Sequence, residues 1–187
     1  DGDQLLYLIM QFYIKEGYEF GGVVGTHMTN LAFEEKCKMQ SIPFARANVG
    51  DRYVSEELDR RKWILGGENS GHILVKNLHS TGDGIISALQ VLSYLVKNKK
   101  SLKSALTEIQ LYPQILINIP TENKVNLKSK TVKNAIKESE VIMKGKGRIL
   151  IRASGTQPLV RVMTEGPLRK DVLKAAKFLT EKIKEII

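Results

Sequence analysis

Two short polar segments of the sequence carry side chains that suit anions and hydroxyl groups. The first reads Arg152-Ala153-Ser154-Gly155-Thr156-Gln157-Pro158, and Arg161 follows it closely. Together they supply two guanidinium groups, two hydroxyls and a glycine. A planar guanidinium donates two parallel charge-assisted hydrogen bonds, and glycine lets backbone N–H groups approach a ligand closely. These residues favour a phosphate-binding turn, although a polar hairpin turn with solvated arginines fits the same spacing.

The second segment reads Gly67-Glu68-Asn69-Ser70-Gly71-His72. Its carboxylate, amide, hydroxyl and imidazole are groups that hydrogen-bond sugar hydroxyls. A β-turn held by local side-chain hydrogen bonds accounts for the same residues equally well. Earlier in the sequence, Asp51 and Arg52 form either a surface pair or part of a site, and composition does not decide between the two.

The pattern of apolar residues places both segments between strands. Apolar runs at 149–151 and 159–163 predict a strand pair around the first segment, and runs at 63–65 and 73–75 flank the second. Further strands are predicted at 21–26, 42–49 and 115–119, and helices at 3–14, 29–39, 50–62, 81–96, 101–109, 129–143 and from 169 onward. The alternation in the first part indicates a three-layer α/β domain with a mixed, mainly parallel sheet. The later β-α-β-β-α order indicates a smaller α+β domain with an antiparallel sheet covered by helices.

A change in charge accompanies the predicted domain boundary at Tyr112-Pro113, which divides the chain into domains 1–112 and 113–187. Up to residue 113 there are 13 basic and 13 acidic residues; beyond it there are 16 and 7, which accounts for the net charge of +9. A basic domain attracts polyanions such as nucleic acid. The basic part has one aromatic residue, Phe178, so stacking platforms for bases are missing. Small phosphorylated substrates fit better, and nucleic acid is not expected.

The composition of the chain further restricts the class of protein. With 42% hydrophobic and 26% charged residues, the 187-residue chain is ordinary for a globular protein. No apolar run approaches the roughly 20 residues that cross a bilayer, and no signal peptide opens the chain, so no membrane partner is expected. Cys37 is the only cysteine, which excludes an internal disulfide. We interpret it as an inert apolar filler. The absence of a possible disulfide favours the reducing cytoplasm as the location of the protein.

Candidate metal ligands are few. The closely spaced Asp1 and Asp3 suit Mg²⁺, but the helical run that follows favours a capping or first-turn role for Asp3. Asp83 is likewise interpreted as a helix N-cap. His27 and His79 have no partners at metal-ligand spacing, so no metal site is expected in this chain.

Taken in order, five motifs make the chain similar to the phosphohexomutase superfamily, and most closely to the bacterial phosphoglucosamine mutases. They are Val23-Val24-Gly25-Thr26-His27-Met28-Thr29-Asn30, Ile42-Pro43-Phe44-Ala45-Arg46-Ala47-Asn48-Val49-Gly50-Asp51-Arg52-Tyr53-Val54, Gly67-Glu68-Asn69-Ser70-Gly71-His72, Thr81-Gly82-Asp83-Gly84 and Arg152-Ala153-Ser154-Gly155-Thr156. The resemblance covers essentially the whole chain, and the ordered set is far more specific than any one motif.

The superfamily has four domains around a central cleft, and this chain resembles the third and fourth. The first two carry a phosphorylated serine and an Asp-Gly-Asp-x-Asp loop for Mg²⁺. The resemblance implies that both lie upstream of Asp1, so no catalytic residue and no metal ligand belongs to this chain, which alone is expected to be inactive. The implied partners are these upstream domains of the same protein and a phosphosugar substrate.

The implied reaction interconverts glucosamine 6-phosphate and glucosamine 1-phosphate through a bisphosphorylated sugar, which also acts as activator. It supplies amino-sugar nucleotide and cell-wall precursors. A phosphoglucomutase or phosphomannomutase of the same superfamily is the alternative, and a basic nucleic-acid-binding module is a more distant one.

The resemblance also assigns roles to individual residues. Glu68 and Ser70 grip the sugar hydroxyls, Asn69, Gly71 and His72 complete the sugar-binding segment, and Asp51 and Arg52 line the cleft. The phosphate that is not reacting is held by Arg152, Ser154, Gly155, Thr156 and Arg161. Gln157 departs from the family, which usually has glutamate there, and is therefore left out of the site.

Overall fold

A computed structural model describes residues 1–121, 126–154 and 157–186, and the chain divides into two compact units, residues 1–111 and 112–187. The first unit consists of α1 (Gly2–Glu16), β1 (Val23–Thr26), α2 (Leu31–Met39), β2 (Phe44–Ala47), α3 (Asp51–Arg61), β3 (Leu65–Gly67), β4 (Ile73–Val75), α4 (Gly84–Lys97) and α5 (Leu102–Leu106). The second consists of β5 (Gln114–Pro120), α6 (Lys130–Ile142), β6 (Arg148–Ala153), β7 (Leu159–Glu165) and α7 (Arg169–Lys184).

The first unit is a sheet between two layers of helices. Its strand order is β2-β1-β3-β4, with β1 parallel to β2 and β3 and with β4 antiparallel to β3. One face packs on an apolar cluster that includes residues of α1, α2, α4 and α5. The other face, with Val24 and Leu74, packs on Val54 and Leu58 of α3. The predicted three-layer α/β domain with a mixed, mainly parallel sheet is confirmed.

The second unit is an antiparallel sheet in the order β5-β7-β6. Alternate residues of all three strands, including Ile119 and Val162, pack on apolar residues of α6 and α7 such as Val132 and Leu179. The predicted α+β architecture is therefore confirmed. Because side chains alternate along a strand, the remaining residues lie together on the opposite face of the sheet.

Several strand boundaries differ from the prediction. The strand predicted at 63–65 begins instead at Leu65 and includes Gly66. A Cβ on Gly66 would lie 2.9 Å from the carbonyl oxygen of Val24 and 2.9 Å from a methyl group of Val54, so close packing explains why glycine occupies a buried strand here. The strands predicted at 21–26 and 42–49 are shorter, Val23–Thr26 and Phe44–Ala47.

The N-terminal carboxylates serve the first helix and the turn before α2. Asp1 is the N-cap of α1, and its Oδ1 accepts a hydrogen bond of 2.9 Å from the backbone N–H of Asp3. Asp3 is buried in the first turn, where its Oδ2 accepts a 2.7 Å bond from the backbone N–H of Asn30. The first-turn interpretation of Asp3 is confirmed, and Asp1 is the capping residue.

Cys37 is fully buried in α2, and its Sγ lies 3.7 Å from the sulfur of Met10. Burial raises the pKa of the Cys37 thiol to about 12, so the reactive thiolate is absent at neutral pH. The interpretation of this residue as an inert filler is confirmed. None of the helices in the described part of the chain combines the length and apolar composition that a membrane crossing needs.

Arg46 holds the turn that follows β1. Its Nε and Nη2 donate to Oε2 of Glu34 at 2.9 and 2.6 Å, and its Nη1 donates to the carbonyl oxygens of Thr26 and Thr29, both at 2.8 Å. The guanidinium therefore ties β2 to both ends of this turn. Lysine cannot reproduce this planar set of donors.

We predict that Arg46→Lys lowers the free energy of unfolding by about 1–3 kcal/mol, because two buried carbonyls lose charge-assisted hydrogen bonds. Arg60→Lys is the matched control: this exposed arginine pairs with Glu57 three residues away, and the change is expected to alter stability by less than about 0.5 kcal/mol. Urea denaturation of both variants checks the prediction. Equal effects would contradict the structural role of Arg46.

Candidate functional site

The segment between β3 and β4, residues 67–72, is closed by its own backbone. The N–H of Glu68 donates to the carbonyl of His72 at 3.0 Å, and the N–H of Gly71 donates to the carbonyl of Glu68 at 2.9 Å. The side chain of Glu68 is anchored as well, since its Oε1 accepts a 2.8 Å bond from the N–H of Gly50, immediately before α3. This anchoring fixes the half-buried carboxylate beside the N-terminus of α3, where a negative charge is favourable.

His72 lies between Asp51 and the loop before α4. Its Nε2 is 3.5 Å from Oδ2 of Asp51. A Cβ on Gly82 would lie 2.3 Å from the same nitrogen, so only glycine at position 82 leaves room for the ring. Asp83 accepts hydrogen bonds from the N–H groups of Ile85 and Ile86, which lowers the pKa of its carboxyl and confirms its N-cap role. The segment 67–72, the first residue of α3 and the loop before α4 thus meet at the imidazole.

The remaining predicted residues of the first unit differ from these in their contacts. Asn69 is half-buried and its carbonyl accepts a 2.9 Å bond from the N–H of Gly2, while Ser70 is exposed at the tip. Arg52 is also exposed and pairs with Glu56 at 2.7 Å along α3, which raises the pKa of its guanidinium. Among the described residues, no hydrogen bond or ion pair joins Arg52 to residues 67–72. The structure therefore brings Glu68, Asp51 and His72 together and leaves the side chain of Arg52 apart.

In the second unit, the sheet face opposite the helices is arranged in rows across the strands. One row consists of Gln114, Glu165 and Arg148, and the next of Leu116, Met163 and Leu150. A third row consists of Asn118, Arg161 and Arg152, and we call it the arginine row. Residues directly opposite each other on one sheet face have Cβ atoms about 5 Å apart, so the side chains of Arg152 and Arg161 start from neighbouring positions.

The first row and the arginine row differ in their charge balance. Arg148 donates from Nε to Oε2 of the fully buried Glu165 at 2.7 Å, so a carboxylate compensates its charge. In the arginine row both arginines are half-buried, and the Nε of Arg161 is fully buried without a hydrogen-bond partner. Within the described residues, neither Arg152 nor Arg161 makes a hydrogen bond or an ion pair. Like charges facing each other across strands are destabilising, and a bound anion would reverse that effect.

Ser154 lies two residues after Arg152, immediately beyond Ala153, the last residue of β6. Its N–H donates to the carbonyl of Leu159 at 2.9 Å, and its Oγ accepts a 3.3 Å bond from the N–H of the exposed Gln157. The hydroxyl therefore lies at the turn, next to the arginine row. The predicted phosphate-binding residues Gly155 and Thr156 lie outside the described residues.

Sequence reasoning missed Asn118, the exposed third member of the arginine row. Its amide can both donate and accept hydrogen bonds. The signal that could have found it is the alternation of the strand Gln114–Pro120, which puts Asn118 on the face away from the helices. Its pairing with Arg161 depends on strand register and is not visible in the linear sequence.

The described residues contain no group of three or more His, Cys, Asp or Glu side chains that could hold a metal ion. The carboxylates of Asp1 and Asp3 already accept backbone hydrogen bonds. Asp1 and Asp3 therefore do not fit a Mg²⁺ site, and no step of the chemistry is assigned to a metal in the described part of this chain.

The chain thus combines an α/β/α unit that carries polar loops with a smaller α+β unit that carries two opposed arginines. Residues 1–112 match "Phosphoglucomutase/phosphomannomutase, alpha/beta/alpha domain III", and residues 116–182 match "Phosphoglucomutase/phosphomannomutase, C-terminal domain". The chain belongs to the phosphoglucomutase/phosphomannomutase family, and the resemblance stated from its motifs is confirmed.

The names of proteins similar to this chain agree with this family. The phosphoglucosamine mutase of Polynucleobacter asymbioticus is 48% identical over 182 residues, which are 97% of this chain and 41% of that protein. The phosphoglucosamine mutase of Idiomarina loihiensis is 50% identical over 167 residues, 89% of this chain and 37% of that protein. The chain thus spans well under half the length of these relatives.

Among solved structures, the N-acetylphosphoglucosamine mutase of Aspergillus fumigatus, in complex with GlcNAc-6P and magnesium, has a TM-score of 0.74. The comparison covers 98% of this chain and 46% of that one at 18% sequence identity. Identity this low shows a common fold and nothing finer.

The packing of His72 on Gly82 yields a test. Gly82→Ala is expected to displace the imidazole and separate it from Asp51, while the free energy of unfolding changes by less than about 1 kcal/mol, because a side chain can rotate away. Gly84→Ala is the control, since no atom lies within 4 Å of a Cβ built there. Imidazole nitrogen NMR shifts of His72 that change in neither variant would contradict this geometry.

Proposed function

We propose that this chain is the substrate-binding, C-terminal part of an enzyme that interconverts glucosamine 6-phosphate and glucosamine 1-phosphate. Both relatives described above, at 48% and 50% identity, are named phosphoglucosamine mutases, and family membership supports a phosphosugar substrate. In the reaction, a phosphoserine transfers its phosphoryl group to one sugar oxygen. The bisphosphorylated sugar reorients, and its other phosphoryl group returns to the serine, so the sugar leaves as its isomer.

The observation that carries the proposal is the arginine row. Two half-buried arginines lie directly opposite each other on neighbouring strands, neither pairs with a carboxylate of the described residues, and the buried Nε–H of Arg161 lacks an acceptor. The phosphate that is not reacting supplies the missing negative charge. It accepts hydrogen bonds from Arg152 and Arg161, with the hydroxyl of Ser154 at one end of the row and the amide of Asn118 at the other. Gly155 and Thr156 complete the site by resemblance.

The segment 67–72, which we call the sugar loop, holds the sugar. Glu68 is the anchored carboxylate that accepts hydroxyl hydrogen bonds, and the exposed Ser70 adds a hydroxyl at the tip. His72 and Asp51, 3.5 Å apart, offer a nitrogen and a carboxylate to the same ligand. Asn69 and Gly71 belong to the sugar-binding segment by resemblance. Arg52, which pairs with Glu56, reaches the substrate only if it leaves that partner.

The upstream part of the protein supplies the remaining groups in this proposal. It contributes the phosphoserine and the ligands of Mg²⁺, an ion present in the Aspergillus structure. When bound, Mg²⁺ neutralises charge on the transferring phosphoryl group. The chain described here binds and orients the substrate, and a bisphosphorylated sugar serves as activator. The cytoplasmic location expected from the sequence stays a prediction.

The choice of sugar is tested on the complete protein, expressed with the coding sequence upstream of Asp1. Glucosamine 6-phosphate, glucose 6-phosphate and mannose 6-phosphate compete for the enzyme with the bisphosphorylated activator present. Preferential turnover of the amino sugar supports the proposal. Preference for the glucose or mannose phosphate would assign the chain to another branch of the family.

The arginine row yields a paired prediction on binding and stability. Arg161→Gln is expected to weaken the binding of glucosamine 6-phosphate by about tenfold or more, because a charge-assisted hydrogen bond is worth roughly 1.5–3 kcal/mol. The same change is expected to leave unchanged or raise the free energy of unfolding without ligand, since it removes repulsion from Arg152. Calorimetric titration and urea denaturation measure the two effects.

Arg169→Gln is the control for the loss of one positive charge, because this arginine is exposed at the start of α7 and lies outside the row. It is expected to change affinity by less than about twofold, through the general field alone. If Arg161→Gln and Arg169→Gln weakened binding equally, the proposed phosphate site would be wrong.

A further inference from the structure

Two carboxylates occupy neighbouring positions at the start of α3. Glu68 belongs to the sugar loop, and its Oε1 accepts a 2.8 Å hydrogen bond from the N–H of Gly50. Asp51 is the next residue along the chain and the first residue of α3. A single turn of the backbone therefore carries Asp51 and, through the N–H of Gly50, also fixes the carboxylate of Glu68. The two acidic groups lie at the same end of the same helix.

The carboxylate of Asp51 is oriented by both of its oxygens. Its Oδ1 accepts a 2.8 Å hydrogen bond from the N–H of Arg52, and its Oδ2 lies 3.5 Å from Nε2 of His72. The Asp51 side chain is nevertheless 63% exposed. A ligand held by the sugar loop can therefore reach a carboxylate whose direction is already set.

No basic side chain compensates the charge of these two carboxylates. Arg52, the nearest cation in the sequence, pairs with Glu56 at 2.7 Å instead. Within residues 1–121, 126–154 and 157–186, no lysine or arginine forms an ion pair with Asp51 or Glu68. The N-terminus of a helix favours a negative charge, so the start of α3 stabilises the ionised carboxylates. This side of the sugar loop is therefore anionic, in contrast to the arginine row.

An anionic sugar site suits an amino sugar better than a neutral one. Glucosamine phosphates carry an amino group where glucose phosphates carry a hydroxyl. An amine of this kind titrates near the range of an α-amino group and is largely a cation at pH 7. A carboxylate accepts hydrogen bonds from either group, but a bond between two charged partners is roughly twice as strong as a neutral one.

We propose that Asp51 recognises the ammonium group of the amino sugar, while Glu68 accepts hydrogen bonds from the hydroxyls. Asp51 is then the residue that determines the preference for glucosamine phosphates over glucose phosphates. The inference rests on the proposed function, which supplies the amino sugar as substrate. It assigns to the charge of Asp51 a role that the fold of the sugar loop does not need, because backbone hydrogen bonds close that loop.

The test removes this charge and keeps the shape of the side chain. Asp51→Asn retains an oxygen that can accept the hydrogen bond from the N–H of Arg52. Asp59→Asn is the matched control: this aspartate also lies on α3, its side chain is 65% exposed, and it pairs with Lys76 at 3.1 Å. Calorimetric titration of the complete protein gives the Kd of glucosamine 6-phosphate and of glucose 6-phosphate at pH 7. Mg²⁺ is left out, so that no phosphoryl group is transferred.

We expect Asp51→Asn to weaken the binding of glucosamine 6-phosphate about tenfold, because the ammonium loses its charged partner; this corresponds to about 1.4 kcal/mol. The Kd of glucose 6-phosphate is expected to change less than about twofold, since an amide also hydrogen-bonds a hydroxyl. Asp59→Asn is expected to leave both Kd values within about twofold, through the general field alone.

Equal weakening of both sugars by Asp51→Asn would overturn the proposal, because Asp51 would then act only by positioning His72. An effect of Asp59→Asn as large as that of Asp51→Asn would overturn it too. A wild-type preference for glucosamine 6-phosphate that survives in Asp51→Asn would refute the role of Asp51 and leave the proposed function intact. A wild-type preference for glucose 6-phosphate would refute the proposed function and this inference with it.

Discussion

The cross-strand pair of Arg152 and Arg161 is the constraint on which the account of this chain depends. On the same sheet face, two rows away, the charge of Arg148 is compensated by its ion pair with the buried Glu165. The arginine row has no such partner among the described residues, and it retains a buried, unsatisfied Nε–H. An arrangement that costs stability without a ligand is typical of binding sites, because the ligand completes it.

The sugar loop follows a different principle, since its groups are fixed before any ligand arrives. Backbone hydrogen bonds close the loop, the N–H of Gly50 orients Glu68, and Gly82 makes room for His72 beside Asp51. Fixing side chains in advance reduces the entropy lost on binding. The loop therefore contributes geometry, whereas the arginine row contributes electrostatic attraction. The proposed binding of a phosphosugar uses both.

Most of the architecture could be predicted from the sequence, because apolar periodicity and charge follow directly from residue order. The helices, the two sheet types and the cap at Asp83 were accessible in this way. The strand boundary around Gly66 could not be predicted from the sequence. Glycine is required there by close contact with Val24 and Val54, which are distant in sequence. Asn118 was missed for a related reason: its place beside Arg161 depends on register. The pairing of Arg52 with Glu56 was equally invisible, because helix spacing permits it without requiring it.

The most direct test of the central claim observes the buried nitrogen itself. The Nε–H resonance of Arg161 is followed by ¹⁵N NMR while inorganic phosphate, and then glucosamine 6-phosphate, is added to the chain at neutral pH. Phosphate binding at the arginine row predicts a saturable shift of this resonance and of Arg152, with little change at Arg148, which already has its carboxylate. Resonances of Arg152 and Arg161 that stay unchanged at saturating ligand would contradict it.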